Sequence, residues 1–139
     1  MIVLDASVIL KWLLPEEGRD IALSFLDKHI NDQEQVAIPE LLYYEVGNIL
    51  AVKTELSEEA IIEVMRYLFD LELSAFTLGQ QEYLEAMSLS RLYEVSVYDA
   101  SYVVLARSLG ASFITADERL ARKMKDMSFV QTLNSYQEG

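Results

Sequence analysis

Four carboxylates stand where the chain can use them for chemistry: Asp5, Glu45, Asp99 and Asp117. Asp5 ends the apolar run Ile2-Val3-Leu4, which is too short for a helix and suited to a buried strand. In an open α/β sheet, the carboxyl ends of the strands form the edge where ligands bind. Asp117 follows another strand-like run, Ser112 to Thr115, and Asp99 opens the apolar helix Val97-Tyr-Asp-Ala-Ser-Tyr-Val-Val-Leu-Ala106. Glu45 has Leu41, Leu42, Asn48 and Ile49 three and four positions away, so it borders an apolar helix face where an unpaired carboxylate is costly. Carboxylates brought together repel, at roughly 5 Å and an effective dielectric of about 20 by on the order of 3 kcal/mol per pair. Such a cluster needs protons or a divalent cation to persist. Oxygen donors without sulfur or imidazole suit magnesium or manganese, and the reaction they point to is hydrolysis by metal-activated water.

Each residue also has a plainer role. Asp99 can cap a helix and meet its dipole. Thr115-Ala-Asp-Glu118 matches a capping box, so Thr115 and Glu118 are expected to start a helix. Asp5 can serve a turn, and Glu45 can reach solvent or a lysine. Taken singly, capping explains Asp99 and Asp117 well. The case for a site rests on three aspartates at strand ends or helix starts, joined by a glutamate that interrupts an apolar face.

Composition removes the alternatives. There is no cysteine, hence no thiolate zinc site and no cysteine nucleophile, and the single histidine, His29, is expected on a helix surface. The five glycines form no phosphate-binding loop, and no nucleophile-elbow serine occurs. Ser7 stands where an aspartyl-nucleophile phosphatase would need a second aspartate. A net charge of −12 argues against broad electrostatic binding to a polyanion and leaves room for a small metal-bridged phosphate site. Arg119, Arg122, Lys123 and Lys125 gather after Asp117, where they can meet RNA or simply answer a helix dipole. Tyr43, Tyr44, Tyr98 and Trp12 can stack on bases, although aromatic residues spaced among leucines more often pack in a core.

The elements that must position these residues alternate. Strands are expected at 2–4, 35–38, 73–78, 112–115 and 129–132. Helices are expected at 6–14, 19–30, from Pro39 to about 53, from a Ser57 cap to about 71, and at 80–93, 97–109 and 117–125. This alternation predicts a single α/β domain over residues 1–139, core about 2–130, with helices on both faces of a parallel sheet. No apolar stretch reaches the roughly 18 residues of a membrane span, and no signal peptide is expected, which points to the cytoplasm.

The order of motifs resembles the PIN-domain nucleases, and especially the small single-domain VapC-like toxin ribonucleases. The residues concerned are a strand leading into Asp5-Ala-Ser7, a helix after Pro39 bearing Glu45, Asp99-Ala-Ser-Tyr102, and a strand leading into Thr115-Ala-Asp117. The resemblance runs from Ile2 to about Val130. It implies an α/β/α sandwich and magnesium- or manganese-dependent endonucleolytic cleavage of single-stranded RNA. It implies Asp5 and Asp99 as principal metal ligands, Glu45 and Asp117 completing the quartet, and Ser7 and Thr115 as hydroxyls that orient carboxylates. Clustered beside that quartet, Arg119, Arg122 and Lys123 are the candidate RNA contacts, and the resemblance implies a homodimer silenced by an antitoxin protein. Two rivals remain: a non-catalytic interaction module on the same fold, and a receiver-like magnesium-binding signalling domain. The second lacks the adjacent acidic residues and site lysine it needs.

Overall fold

A computed structural model describes residues 1–136. Five short strands form the sheet: β1 (Ile2–Leu4), β2 (Val36–Pro39), β3 (Ser74–Phe76), β4 (Ser112–Thr115) and β5 (Val130–Thr132). All neighbours are parallel, in the order β3-β2-β1-β4-β5. β1 is central, and Ile2, Val3 and Leu4 are buried whichever way they point, which requires cover on both faces. Helices supply it, giving the three-layer α/β/α arrangement. Strand order reverses at β1: the chain builds outward through β2 and β3, then returns to place β4 and β5 on the other side. The crevice at such a reversal, beyond the carboxyl ends of the strands, is where open α/β sheets bind ligands. Asp5 and Asp117 follow the two strands that flank it.

The helices are α1 (Ala6–Leu13), α2 (Arg19–Ile30), α3 (Leu41–Lys53), α4 (Glu58–Asp70), α5 (Gln80–Tyr93), α6 (Val97–Leu109) and α7 (Glu118–Lys123). α6 is the central one. It is buried continuously from Ala100 to Ala106 and packs on β1, β2, β4 and α5, as expected for a helix apolar on every side. Gly110 ends it in the left-handed region (φ 64°), and Ala111 N–H closes back on Ala106 O at 2.9 Å. Ser57 caps α4 as its sequence predicts, accepting from Ala60 N–H at 3.1 Å.

Two expectations are corrected here, for Pro39 and His29, and a third is sharpened. Pro39 does not open α3; it is the last residue of β2, opposite Phe76, and Glu40 N–H supplies the next bond to Phe76 O at 3.0 Å. A proline without N–H is tolerated at a strand end for that reason. His29 is buried rather than on the surface. Its Nδ1 accepts from Val36 N–H at 3.1 Å, so Nε2 carries the proton and donates to Leu71 O at 2.9 Å. Trp12 is a core residue whose indole N–H donates to Ala22 O at 2.7 Å, and Tyr43 stacks on Phe69. Among the described residues, no helix is long and apolar enough to cross a membrane.

Candidate active site

Asp5 is buried at the N-terminus of α1 and accepts three hydrogen bonds. Oδ1 receives Ser7 N–H (3.1 Å) and the Ser7 hydroxyl (2.5 Å), and Oδ2 receives the Thr115 hydroxyl (2.6 Å). Ser7 Oγ accepts from Ala116 N–H at 2.9 Å and Thr115 Oγ1 from Asp117 N–H at 3.0 Å, so their single protons are left for Asp5. Every donor around Asp5 is therefore aimed at an anion. Burial works against them, and with the charge of Asp99 it lifts the Asp5 carboxyl to about 6. A carboxylate held for the charged state yet denied water is a site that a cation would relieve.

Thr115 does not cap α7. The cap is Asp117, whose Oδ1 accepts from Leu120 N–H at 3.0 Å, while Thr115 stays in β4 with its hydroxyl turned to Asp5. The capping-box pattern misleads because Thr115 has a stronger use: a buried hydroxyl finds a charged acceptor across the sheet, from β4 to the end of β1. Asp117 keeps its other carboxylate oxygen and remains exposed.

Asp99 likewise does not cap α6. Ser96 does, accepting from Asp99 N–H at 2.9 Å, which leaves Asp99 in the first turn. Burial raises its carboxyl above the ordinary range, hydrogen bonding with Ser96 opposes this, and the charge of Asp117 adds to the rise. Glu45 is raised chiefly by burial, then restrained by a hydrogen bond from Tyr102, with Asp99 pushing it up again. Asp99 thus feels Asp117 and is felt by Asp5 and Glu45, so the four carboxylates share one electrostatic neighbourhood centred on α6.

Tyr102 is the residue that sequence reasoning missed. It lies one turn beyond Asp99, almost fully buried, and its hydroxyl donates to Glu45 Oε1 at 2.7 Å. Burial and the nearby carboxylates push its own pKa far up, so it stays a neutral donor. The signal was present in Asp99-Ala-Ser-Tyr102: a tyrosine in a helix apolar on all sides needs a partner for its hydroxyl.

A cavity of about 230 Å³ opens beside Asp99 and Asp117, lined also by Ser96, Arg119 and Lys123. Arg122 does not line it. Among the described residues, no three acidic or histidine side chains close on one point as a finished metal cage. Magnesium does not need one, because it keeps several waters and takes one or two carboxylates together with substrate phosphate.

Residues 2–125 match the model of the PIN domain family. The chain belongs to that family. This PIN domain is 30% identical over 126 residues to "Ribonuclease VapC3" of Pyrobaculum aerophilum, covering 88% of this chain and 93% of the relative. It is 33% identical over 108 residues to "Exonuclease VapC9" of the same organism, covering 77% and 80%. Among solved structures, a toxin–antitoxin complex from Klebsiella pneumoniae superposes with a TM-score of 0.70 at 17% identity, covering 99% of this chain and 100% of that one.

Proposed function

We propose that this PIN domain is a divalent-metal-dependent endoribonuclease that hydrolyses phosphodiester bonds of single-stranded RNA and acts as the toxin of a toxin–antitoxin pair. The observation that carries the reading is the Asp5 carboxylate: three donors hold it as an anion while burial and Asp99 oppose its charge. Magnesium or manganese held by Asp5 and Asp99, with Glu45 and Asp117 completing the donor set, would polarise the phosphate and acidify an attacking water.

The chain's own residues do the rest. Ser7 and Thr115 lock both oxygens of Asp5. Tyr102 fixes Glu45 so that its second oxygen, Oε2, is free to orient water. Asp117, exposed at the cavity, keeps one oxygen beyond its helix-capping bond for the metal or a water bound to it. Arg119 and Lys123 border the same cavity and can meet the phosphates on either side of the cut, with Arg122 farther along α7.

The names of the two Pyrobaculum relatives support a nuclease, and the Klebsiella complex supports an antitoxin partner. A homodimer fits the apolar side chains left exposed on α3, α4 and α5, including Val52, Ile62, Phe69, Met87 and Leu92. Circular single-stranded RNA tests the cleavage mode, because only an endonuclease can open it. Linearisation by wild type with magnesium or manganese, stopped by chelator and absent in Asp5→Asn, is the expected result. Failure to open the circle while linear RNA is degraded from an end would replace the endonuclease with an exonuclease.

A further inference from the structure

The net charge of −12 leaves RNA with little to hold by charge alone. Single strands draw affinity from a basic groove and from stacking. The cavity at Asp99 offers only Arg119 and Lys123, and Lys123 already donates to Glu94 O at 2.6 Å. The other flank of the same helical turn offers stacking. A cavity of about 500 Å³ opens there between the starts of α3, α5 and α6 and the end of β3. Phe76 and Leu78 contribute apolar lining, and Tyr83 and Tyr98 line it while 50% and 64% exposed. Tyr98 directly precedes Asp99. Leu41, also on the wall, lies about one helical turn before Glu45, about 6 Å along the axis. The cavity wall thus includes the residue before Asp99 and a residue one turn from Glu45, while Asp99 itself lines the neighbouring cavity.

Resting on the ribonuclease reading, we infer that this cavity is a nucleobase pocket, in which an unpaired base beside the scissile phosphodiester stacks on Tyr98 and Tyr83. Stacking suits an acidic protein because it needs no positive charge. The charged residue on the described wall is Glu40, which accepts hydrogen bonds and cannot donate them. Guanine presents two adjacent N–H donors, N1–H and N2–H₂, on its Watson–Crick edge. Uracil offers a single N3–H between two carbonyls that the carboxylate repels, and adenine and cytosine each offer one amino group beside a ring-nitrogen acceptor. The pocket accordingly prefers guanine.

The test uses the full chain and fluorescein-labelled RNA octamers, one all uridine and one with a single central guanosine. KM is measured with magnesium, and affinity on an Asp5→Asn background so that the RNA survives. Tyr98→Ala and Tyr83→Ala should each weaken binding roughly 5- to 150-fold, the cost of one lost stacking contact. Tyr98→Phe should restore it, and Tyr67→Ala, an exposed tyrosine on α4, should not change it. Glu40→Gln should narrow the gap between the guanosine and all-uridine octamers. With two basic residues at the site, log affinity should fall with log salt at a slope no steeper than about −1.4.

Wild-type cleavage with unchanged KM in both tyrosine variants would overturn the pocket and leave the ribonuclease standing. So would a steep salt slope, which would assign the affinity to phosphates, leaving the cavity to a protein segment. Absence of metal-dependent cleavage by wild type would remove the ribonuclease reading and the pocket with it.

Discussion

Asp5→Asn separates a carboxylate kept for function from one kept for stability. In the folded chain the Asp5 carboxyl is lifted from 3.8 to about 6, chiefly by burial. A raised acid binds its proton more tightly when folded, so its ionisation opposes folding. The penalty is absent below pH 3.8, grows through the interval, and is complete above about 6. The gap corresponds to about 3 kcal/mol at pH 7 without metal. Asparagine removes the charge but leaves the Thr115 hydroxyl without its anionic acceptor, a loss of about 1 kcal/mol. Metal-free Asp5→Asn should therefore be about 2 kcal/mol more stable than wild type at pH 7, roughly 5 °C or more in Tm. Urea unfolding in chelator at pH 7 and pH 4 reads this directly. The advantage should shrink at pH 4, where wild-type Asp5 is protonated, and magnesium at pH 7 should raise the Tm of wild type more than that of the variant. A variant at least 1 kcal/mol less stable than wild type at pH 7 would make Asp5 a structural cap whose charge costs the fold nothing.

Tyr102→Phe removes one hydroxyl from a packed helix and frees Glu45; cleavage should fall about tenfold through kcat, with KM little changed, because orientation rather than RNA binding is lost. Thr115→Val deletes a donor to Asp5 and the acceptor of Asp117 N–H, so a metal-free urea titration should show a loss of roughly 1–3 kcal/mol. The magnesium concentration for half-maximal cleavage should rise with it. His29→Ala strands Val36 N–H and Leu71 O and opens a void, and should cost about 3 kcal/mol by the same titration. An intact Tm would mean that water replaces the imidazole.

What could be read from the sequence followed the strength of local signals. α2, α5, α6 and β4 begin and end where periodicity and stop signals place them, since Asn31, Gly110 and the apolar run Phe113-Ile114 are decided by near neighbours. Asp5 and Asp117 were legible as neighbours because they follow strands of one parallel sheet, whose carboxyl ends share an edge; Asp99 and Glu45 stand out instead as a helix-start aspartate and a glutamate on an apolar helix face. Long-range partners were not legible. Read from its neighbours alone Thr115 looks like a cap, and only the family resemblance gives its hydroxyl a carboxylate to orient; His29 looks like surface until α2 packs on β2 near Leu71. Helical spacing could not say which of four aromatics stayed free; packing buries Trp12, stacks Tyr43 on Phe69, and leaves Tyr44 and Tyr98 exposed. Tyr102 escaped for the same reason, since its partner Glu45 lies 57 residues away.

Asp99 perturbs Asp5 and Glu45 and is itself perturbed by Asp117, which makes it the residue on which metal-dependent RNA cutting should depend. Cleavage of a labelled single-stranded RNA by wild type and by Asp99→Asn, in magnesium, manganese and chelator, tests it most directly. A metal held by Asp99 predicts cutting by wild type alone, abolished by chelator, with both proteins equally folded by circular dichroism. Equal, metal-independent cutting by both proteins would contradict it.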